Sequence, residues 1–148
     1  MIKTLYFNSR DEVLMVNIDN LVFFEGDGGC TYLVSVNKQR SCVGMNLREM
    51  EENLAKQMGD DAKIFLRIGK RYIINRKYIY HVKVVKQQLI LSDQSTFAFQ
   101  LNASREALRK LKILITRIHR KRRVSNIDFL IRSLTTTSNN NNKRKTNK

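Results

Sequence analysis

Lys63-Ile-Phe65-Leu-Arg67-Ile-Gly69-Lys70-Arg71-Tyr72-Ile-Ile-Asn75-Arg76-Lys77-Tyr78-Ile-Tyr80-His81-Val-Lys83-Val-Val-Lys86 is the stretch on which the reading of this chain turns. No acid falls between Asp61 and Asp93. Two chemistries alternate along it. Ile64, Phe65, Leu66, Ile68, Ile73, Ile74, Ile79 and Val82 favour burial, whereas Arg67, Lys70, Arg71, Arg76 and Lys77 cannot be buried unpaired. A segment that buries half its residues and fixes cations at the surface suits an anionic polymer. On charge alone, the solvated face of an ordinary strand pair explains it equally well.

The rest of the composition narrows the choice. A chain of 148 residues, 42% apolar, is long enough for one domain with its own core and a tail. Its net charge of +15 points to nucleic acid, or less specifically to an anionic membrane surface. The excess is uneven. Residues 1–104 carry 14 Lys/Arg against 11 Asp/Glu, a net of +3, while residues 105–148 carry 14 against 2, a net of +12. The N-terminus has no apolar run of signal-peptide length, and no run approaches the ~20 residues of a membrane span. The expected location is therefore cytoplasmic. In such a reducing compartment Cys30 and Cys42 are expected to be free thiols, although the two could pair geometrically. No CxxC and no Cys/His cluster suggests a metal, and no nucleophile–base pair or paired-carboxylate site suggests an enzyme. No cofactor is expected.

Taken in order, residues 3–7 and 12–18 read as short strands, followed by a turn at Asp19-Asn20 and an apolar strand at Leu21–Phe24. Glu25 to Cys30, with three glycines, reads as a hairpin loop. It lacks the Gly-Lys-Ser/Thr ending of a P-loop and the carboxylate series of an EF-hand. Strands are expected at 31–36 and from Ser41, with a turn at 37–40. Asn46 with Glu49 resembles a capping box, and Leu47, Met50, Leu54 and Met58 form one helical stripe that ends at Gly59. Such a stripe is a core feature rather than a ligand box. Ile64–Leu66 reads as a strand, with 67–72 leaving it as an ordered loop or short helical turn. Residues 78–85 and 87–91 read as a hairpin and 96–100 as a further strand. His81 has no second His or nearby carboxylate and reads as a packed or edge histidine. Ser104 caps a second helix with Leu108, Leu111, Leu114 or Ile115, and Ile118 as its buried stripe. Arg105 sits in its first turn, either simply solvated or facing, with the helix N-terminus, a phosphate or base edge. Beyond Thr116 comes the basic run Arg117–Arg123. The apolar residues Ile127, Phe129, Leu130, Ile131 and Leu134 are then open to extending a helix or docking. From about 135 onward the chain has nothing to bury and is expected to be disordered.

At residues 63–82 and 96–115 the sequence resembles the LytTR family of bacterial DNA-binding domains. The carrying motif runs from Phe65 through Arg67, Gly69, Lys70, Arg71 and the triplet Tyr72-Ile73-Ile74 to Asn75 and Ile79. Ile18 to Phe24-Glu25, the Leu47–Leu54 helix and Ala103-Ser104-Arg105 with Leu108 and Leu111 are similar to three further family segments, in register over about 11–116. The resemblance implies a mainly β fold of short antiparallel sheets, with edge helices at about 46–58 and 104–118. It implies reading of double-stranded DNA by loops inserted into successive major grooves. The inserted positions fall near Thr31, at Lys70 with Arg71, and at Arg105. On this reading Arg and Lys are expected to read guanine edges, and Arg67, Arg76 and Lys77 to position the backbone. Two departures stand out. Position 71 is often Ser in the family and is Arg here, and the first loop lacks the His or Asn often found there.

Three segments are therefore expected: an N-terminal extension at 1–10, a LytTR-like domain at 11–116, and a basic C-terminal extension at 117–148. With about ten residues before the domain, no receiver domain is expected in this sequence. The leading expectation is a sequence-specific transcriptional regulator, possible as a homodimer on repeated half-sites, with no membrane partner. Two alternatives stay open: a basic RNA-binding or ribosome-associated protein acting through its tail, and a protein-interaction modulator of another regulator.

Overall fold

Phe23 and Phe24 are neighbours in sequence and pack on opposite faces of one strand, and the fold is built outward from that strand. The computed structural model describes residues 3–121 and residue 131. Its strands are β1 (Thr4–Asn8), β2 (Val13–Asn17), β3 (Leu21–Asp27), β4 (Cys30–Ser35), β5 (Arg40–Val43), β6 (Phe65–Ile68), β7 (Tyr72–Asn75), β8 (Ile79–Lys83), β9 (Gln88–Ser92) and β10 (Ala98–Asn102). Helix α1 is Leu47–Met58, and α2 runs over residues 105–121. The chain divides into two units, Met1–Arg109 and Lys110–Lys148. The first contains all the strands and α1. In the second, residues 110–121 are helical, with Leu111 buried and Ile113 and Leu114 exposed. The expectations for 127–130 and 134, and for a disordered end from about 135, lie outside the described residues.

The strands form a β1–β2 hairpin, a three-stranded sheet ordered β10-β9-β8 and a five-stranded sheet ordered β5-β4-β3-β7-β6. Strand β3 is central in the last, and Leu21 to Phe24 are all buried. A strand covered on both faces reads as an unbroken apolar run rather than an alternation. On the Phe24 face lies a core of Leu5, Phe7, Ile18, Leu21, Leu33, Phe65 and Ile73 with the α1 stripe. On the opposite face the ring of Phe23 meets Phe99 of β10 edge-on at 5.3 Å and Tyr72 at 6.0 Å.

Helix α1 forms where its sequence indicates. The Asn46 side chain accepts from Glu49 N–H at 2.8 Å, and Gly59 ends the helix at φ 58°. Leu47, Met50, Leu54 and Met58 are all buried, each worth about 1.5–3 kcal/mol of transfer free energy. From the same helix, Gln57 reaches β1. Its Oε1 accepts from Tyr6 N–H and its Nε2 donates to Tyr6 O, both at 2.9 Å, while Asn53 Oδ1 accepts from the same Nε2 at 2.5 Å.

Three expectations are corrected. Residues 67–72 do not leave the sheet. Strand β6 continues to Ile68 and pairs with β7 in the register Phe65↔Asn75 to Ile68↔Tyr72. Gly69 turns the chain at φ +59°, because buried Ile68 and Tyr72 anchor both arms. The short helical turn falls later, at Arg76–Tyr78. The glycine hairpin is tighter than expected: β3 runs to Asp27, β4 starts at Cys30, and only Gly28-Gly29 lie between, with Gly28 at φ +64°. Finally, Cys30 and Cys42 are joined as a disulfide and are not free thiols. Tyr32 pairs with Cys42 across β4 and β5, which puts Cys30 diagonal to Cys42 on the same face. Their Cα atoms are 6.4 Å apart, within disulfide reach.

Candidate nucleic-acid interface

The β6–β7 turn is the centre of the site. Lys70 stands at its tip, exposed, and its ammonium has no hydrogen-bond or ion-pair partner among the described residues. Arg67 holds the turn from inside. Its Nε donates to Gly69 O at 2.9 Å and its Nη2 to Lys70 O at 3.3 Å, while Nη1 reaches Glu51 Oε2 of α1 at 3.1 Å. The Arg67 guanidinium thus shapes the turn from three directions.

Two further segments adjoin this turn. Gly26 N–H of β3 donates to Arg71 O at 2.8 Å, tying the end of β3 to the turn. A Cβ at Gly26 would lie 3.1 Å from Leu47 Cβ, so a side chain there would press on α1. On the other side, Gly69 lies against the first turn of α2. A Cβ built on Gly69 would sit 3.9 Å from Ala107 Cβ. Ser104 Oγ caps this helix by accepting from Ala107 N–H at 3.1 Å. Arg105 is exposed beside it, with its Nε and Nη2 each 3.4 Å from Val85 O in the β8–β9 turn. Lys70 and Arg71 of the β6–β7 turn and Arg105 of the start of α2 therefore come from two parts of the chain to one region.

Arg71 is anchored as well as exposed. Its Nη2 meets Glu25 Oε1 at 2.7 Å, and its guanidinium lies 5.4 Å from the Tyr72 ring centre. The hydrogen bond to Glu25 raises the Arg71 pKa above its ordinary value. Burial raises that of the Tyr72 phenol, which stays neutral at pH 7. Arg76 and Lys77 lie one strand further on, in the 3-10 turn after β7. Asn75, 1% exposed, fixes that turn: its Nδ2 donates to Leu21 O at 2.8 Å and its Oδ1 accepts from Lys77 N–H at 3.0 Å. Arg76 is half-buried. Lys77 is exposed and 3.9 Å from Asp19. His81 is exposed on the outer strand β8.

Thr31 does not belong to the accessible surface. It is fully buried, and its hydroxyl donates to Met45 O at 2.8 Å. Its side chain secures the loop before α1. Conversely, sequence reasoning passed over Arg40. Its Nη2 lies 3.3 Å from the second oxygen of Glu25, and its guanidinium lies 4.7 Å from the Tyr32 ring centre. No local signal marks this residue, since the contact needs β5, β4 and β3 side by side.

Among the described residues no group of three or more His, Cys, Asp or Glu could hold a metal. No described helix is long and apolar enough to cross a membrane. A family model for the LytTr DNA-binding domain matches residues 11–116. Among solved structures, the chain is similar to the LytTr DNA-binding domain of a putative methyl-accepting/DNA response regulator from Bacillus cereus. The TM-score is 0.53 at 16% identity, covering 78% of this chain and 98% of that one. No curated protein matches the chain.

Proposed function

The chain belongs to the LytTR family of DNA-binding domains, and from that premise we propose a transcriptional regulator that reads duplex DNA sequence-specifically through major-groove loops. The observation that carries this reading is the packing of Gly69 against Ala107, which brings the turn bearing the free Lys70 ammonium up to the start of α2, where Arg105 lies. A lysine at a tight turn and an arginine at a helix start are both suited to guanine O6 and N7. Arg71 beside them, with Arg76 and Lys77 beyond the other end of β7, serve as phosphate contacts, which set register without reading sequence. Arg67 contributes by holding the turn. Two protomers on repeated half-sites would double the contacts read. Action on a bacterial chromosome places the protein in the cytoplasm.

The test is selection from a random duplex library with the full chain, followed by Lys70→Ala and Arg105→Ala on the recovered sequence. Enrichment of one motif is expected, with each substitution costing about 1–3 kcal/mol on that motif and much less on random duplex. Salt-sensitive binding without enrichment would refute sequence reading. It would bring forward the RNA-binding alternative through the basic C-terminal residues.

A further inference from the structure

We infer that Glu25 positions the guanidiniums of Arg71 and Arg40 as a two-pronged phosphate clamp, which makes Arg40 a further DNA-contacting residue. This rests on the reading of the chain as a duplex-DNA binder.

Glu25 lies under the two arginines. Its side chain is 16% exposed, against 46% for Arg40 and 63% for Arg71. Each arginine takes a different carboxylate oxygen: Arg71 Nη2 is 2.7 Å from Oε1, and Arg40 Nη2 is 3.3 Å from Oε2. The two come from different places on the sheet: Arg71 from the turn just before β7, on one side of β3, and Arg40 from the start of β5, on the far side of β4. The register places Glu25 opposite both Tyr32 and Tyr72, and each tyrosine ring carries one guanidinium on its face. A guanidinium stacked on a ring keeps its edge donors free. Each arginine spends one nitrogen on Glu25, so most of its five N–H donors remain for a phosphate. The local sum is two positive charges over one negative, held in place before any ligand arrives. Asp27, at the hairpin tip, also acts on Arg71 and reduces the field without occupying its donors. The clamp adjoins the Lys70 turn through the Gly26–Arg71 hydrogen bond.

Charge counting and positioning predict opposite signs for one substitution. Removing a carboxylate from a DNA interface strengthens binding if only charge matters. If Glu25 sets the two guanidiniums, Glu25→Gln weakens it. The experiment uses the full chain, a duplex recovered by selection and a random duplex of equal length, with anisotropy titrations over a salt series. Arg40→Ala is expected to lower the slope of log K against log salt by about 0.9 on both duplexes, one phosphate contact fewer. Glu25→Gln is expected to weaken both by several-fold, with Arg40→Lys retaining the slope and losing affinity. An unchanged slope in Arg40→Ala, or tighter binding by Glu25→Gln, overturns the clamp while leaving the DNA reading intact. Failure of the unsubstituted chain to bind any duplex overturns both. Arg40 is half-exposed, so its alanine variant keeps the test valid even if Glu25→Gln unfolds.

Discussion

Replacing Arg67 with alanine separates two accounts of the most central cation in the signature stretch. As a phosphate contact, Arg67 would contribute a unit of salt dependence and little stability. The structure assigns it three intramolecular partners instead. Two are turn carbonyls, each worth about 0.5–1.5 kcal/mol net. The third is the ion pair with Glu51. With the Arg67 side chain 30% exposed and Glu51 54% exposed, solvent screening leaves about 0.2–1 kcal/mol for it. Arg67→Ala should therefore destabilise the protein by about 2 kcal/mol, read as a lower urea midpoint at constant m-value. The turn then loses its internal brace, and Lys70 must be ordered at the moment of binding. Ordering one backbone residue costs about 1–2 kcal/mol, so affinity for a selected duplex should fall by roughly tenfold. The salt slope should not move, because no phosphate contact is lost. A slope reduced by about 0.9 with an unchanged urea midpoint would refute this assignment and restore the phosphate role.

Three further outcomes are expected. Asn75→Ala strands the buried carbonyl of Leu21 and the amide of Lys77; a loss of about 2–4 kcal/mol by chemical denaturation is expected, and a loss below 0.5 would contradict it. Asp93 accepts from the Thr96 hydroxyl and from the amides of Ser95, Phe97 and Thr96, which hold its pKa below the usual carboxylate range. A depressed folded pKa stabilises above the unfolded value and is lost as pH falls through the folded one. The melting-temperature gap between the native chain and Asp93→Asn should thus be widest at neutral pH and narrow below about pH 4. Reduction of the Cys30–Cys42 disulfide, whose ends are 12 residues apart, should lower stability by about 3 kcal/mol; identical melts with and without dithiothreitol would show that the bond contributes nothing.

Local signals and long-range register differ in what they disclose. Asn46, Glu49 and Gly59 mark the ends of α1 within a few residues, and Ser104 marks the start of α2, because caps act over one turn. The run Leu21–Phe24 discloses a strand covered on both faces. Thr31 looks like a surface residue in sequence. Only the pairing of β4 with β5 brings it under Met45. The cysteine pair depends on the same register, and the compartment argument for free thiols contains no information about it. Arg67 is legible as important, but its hold on the turn is not, since nothing local shows a strand arginine folding back onto its own turn. Arg40 with Glu25 and Arg71 was the least legible group, for it spans four adjacent strands. The fold class follows the family resemblance.

Gln57 has a consequence for self-association. The β1–β2 hairpin is a two-stranded ribbon that shows water Tyr6 at 50%, Val13 at 58% and Met15 at 66% exposure. An apolar ribbon with open backbone edges is a template on which a neighbouring chain can add a strand. The Gln57 amide meets both backbone groups of Tyr6, as a pairing residue would, but it is one residue long and cannot propagate. One side of the ribbon is thereby closed by a helix side chain. At high concentration, a chain lacking that amide would offer Tyr6 as a nucleation point for edge-to-edge assembly.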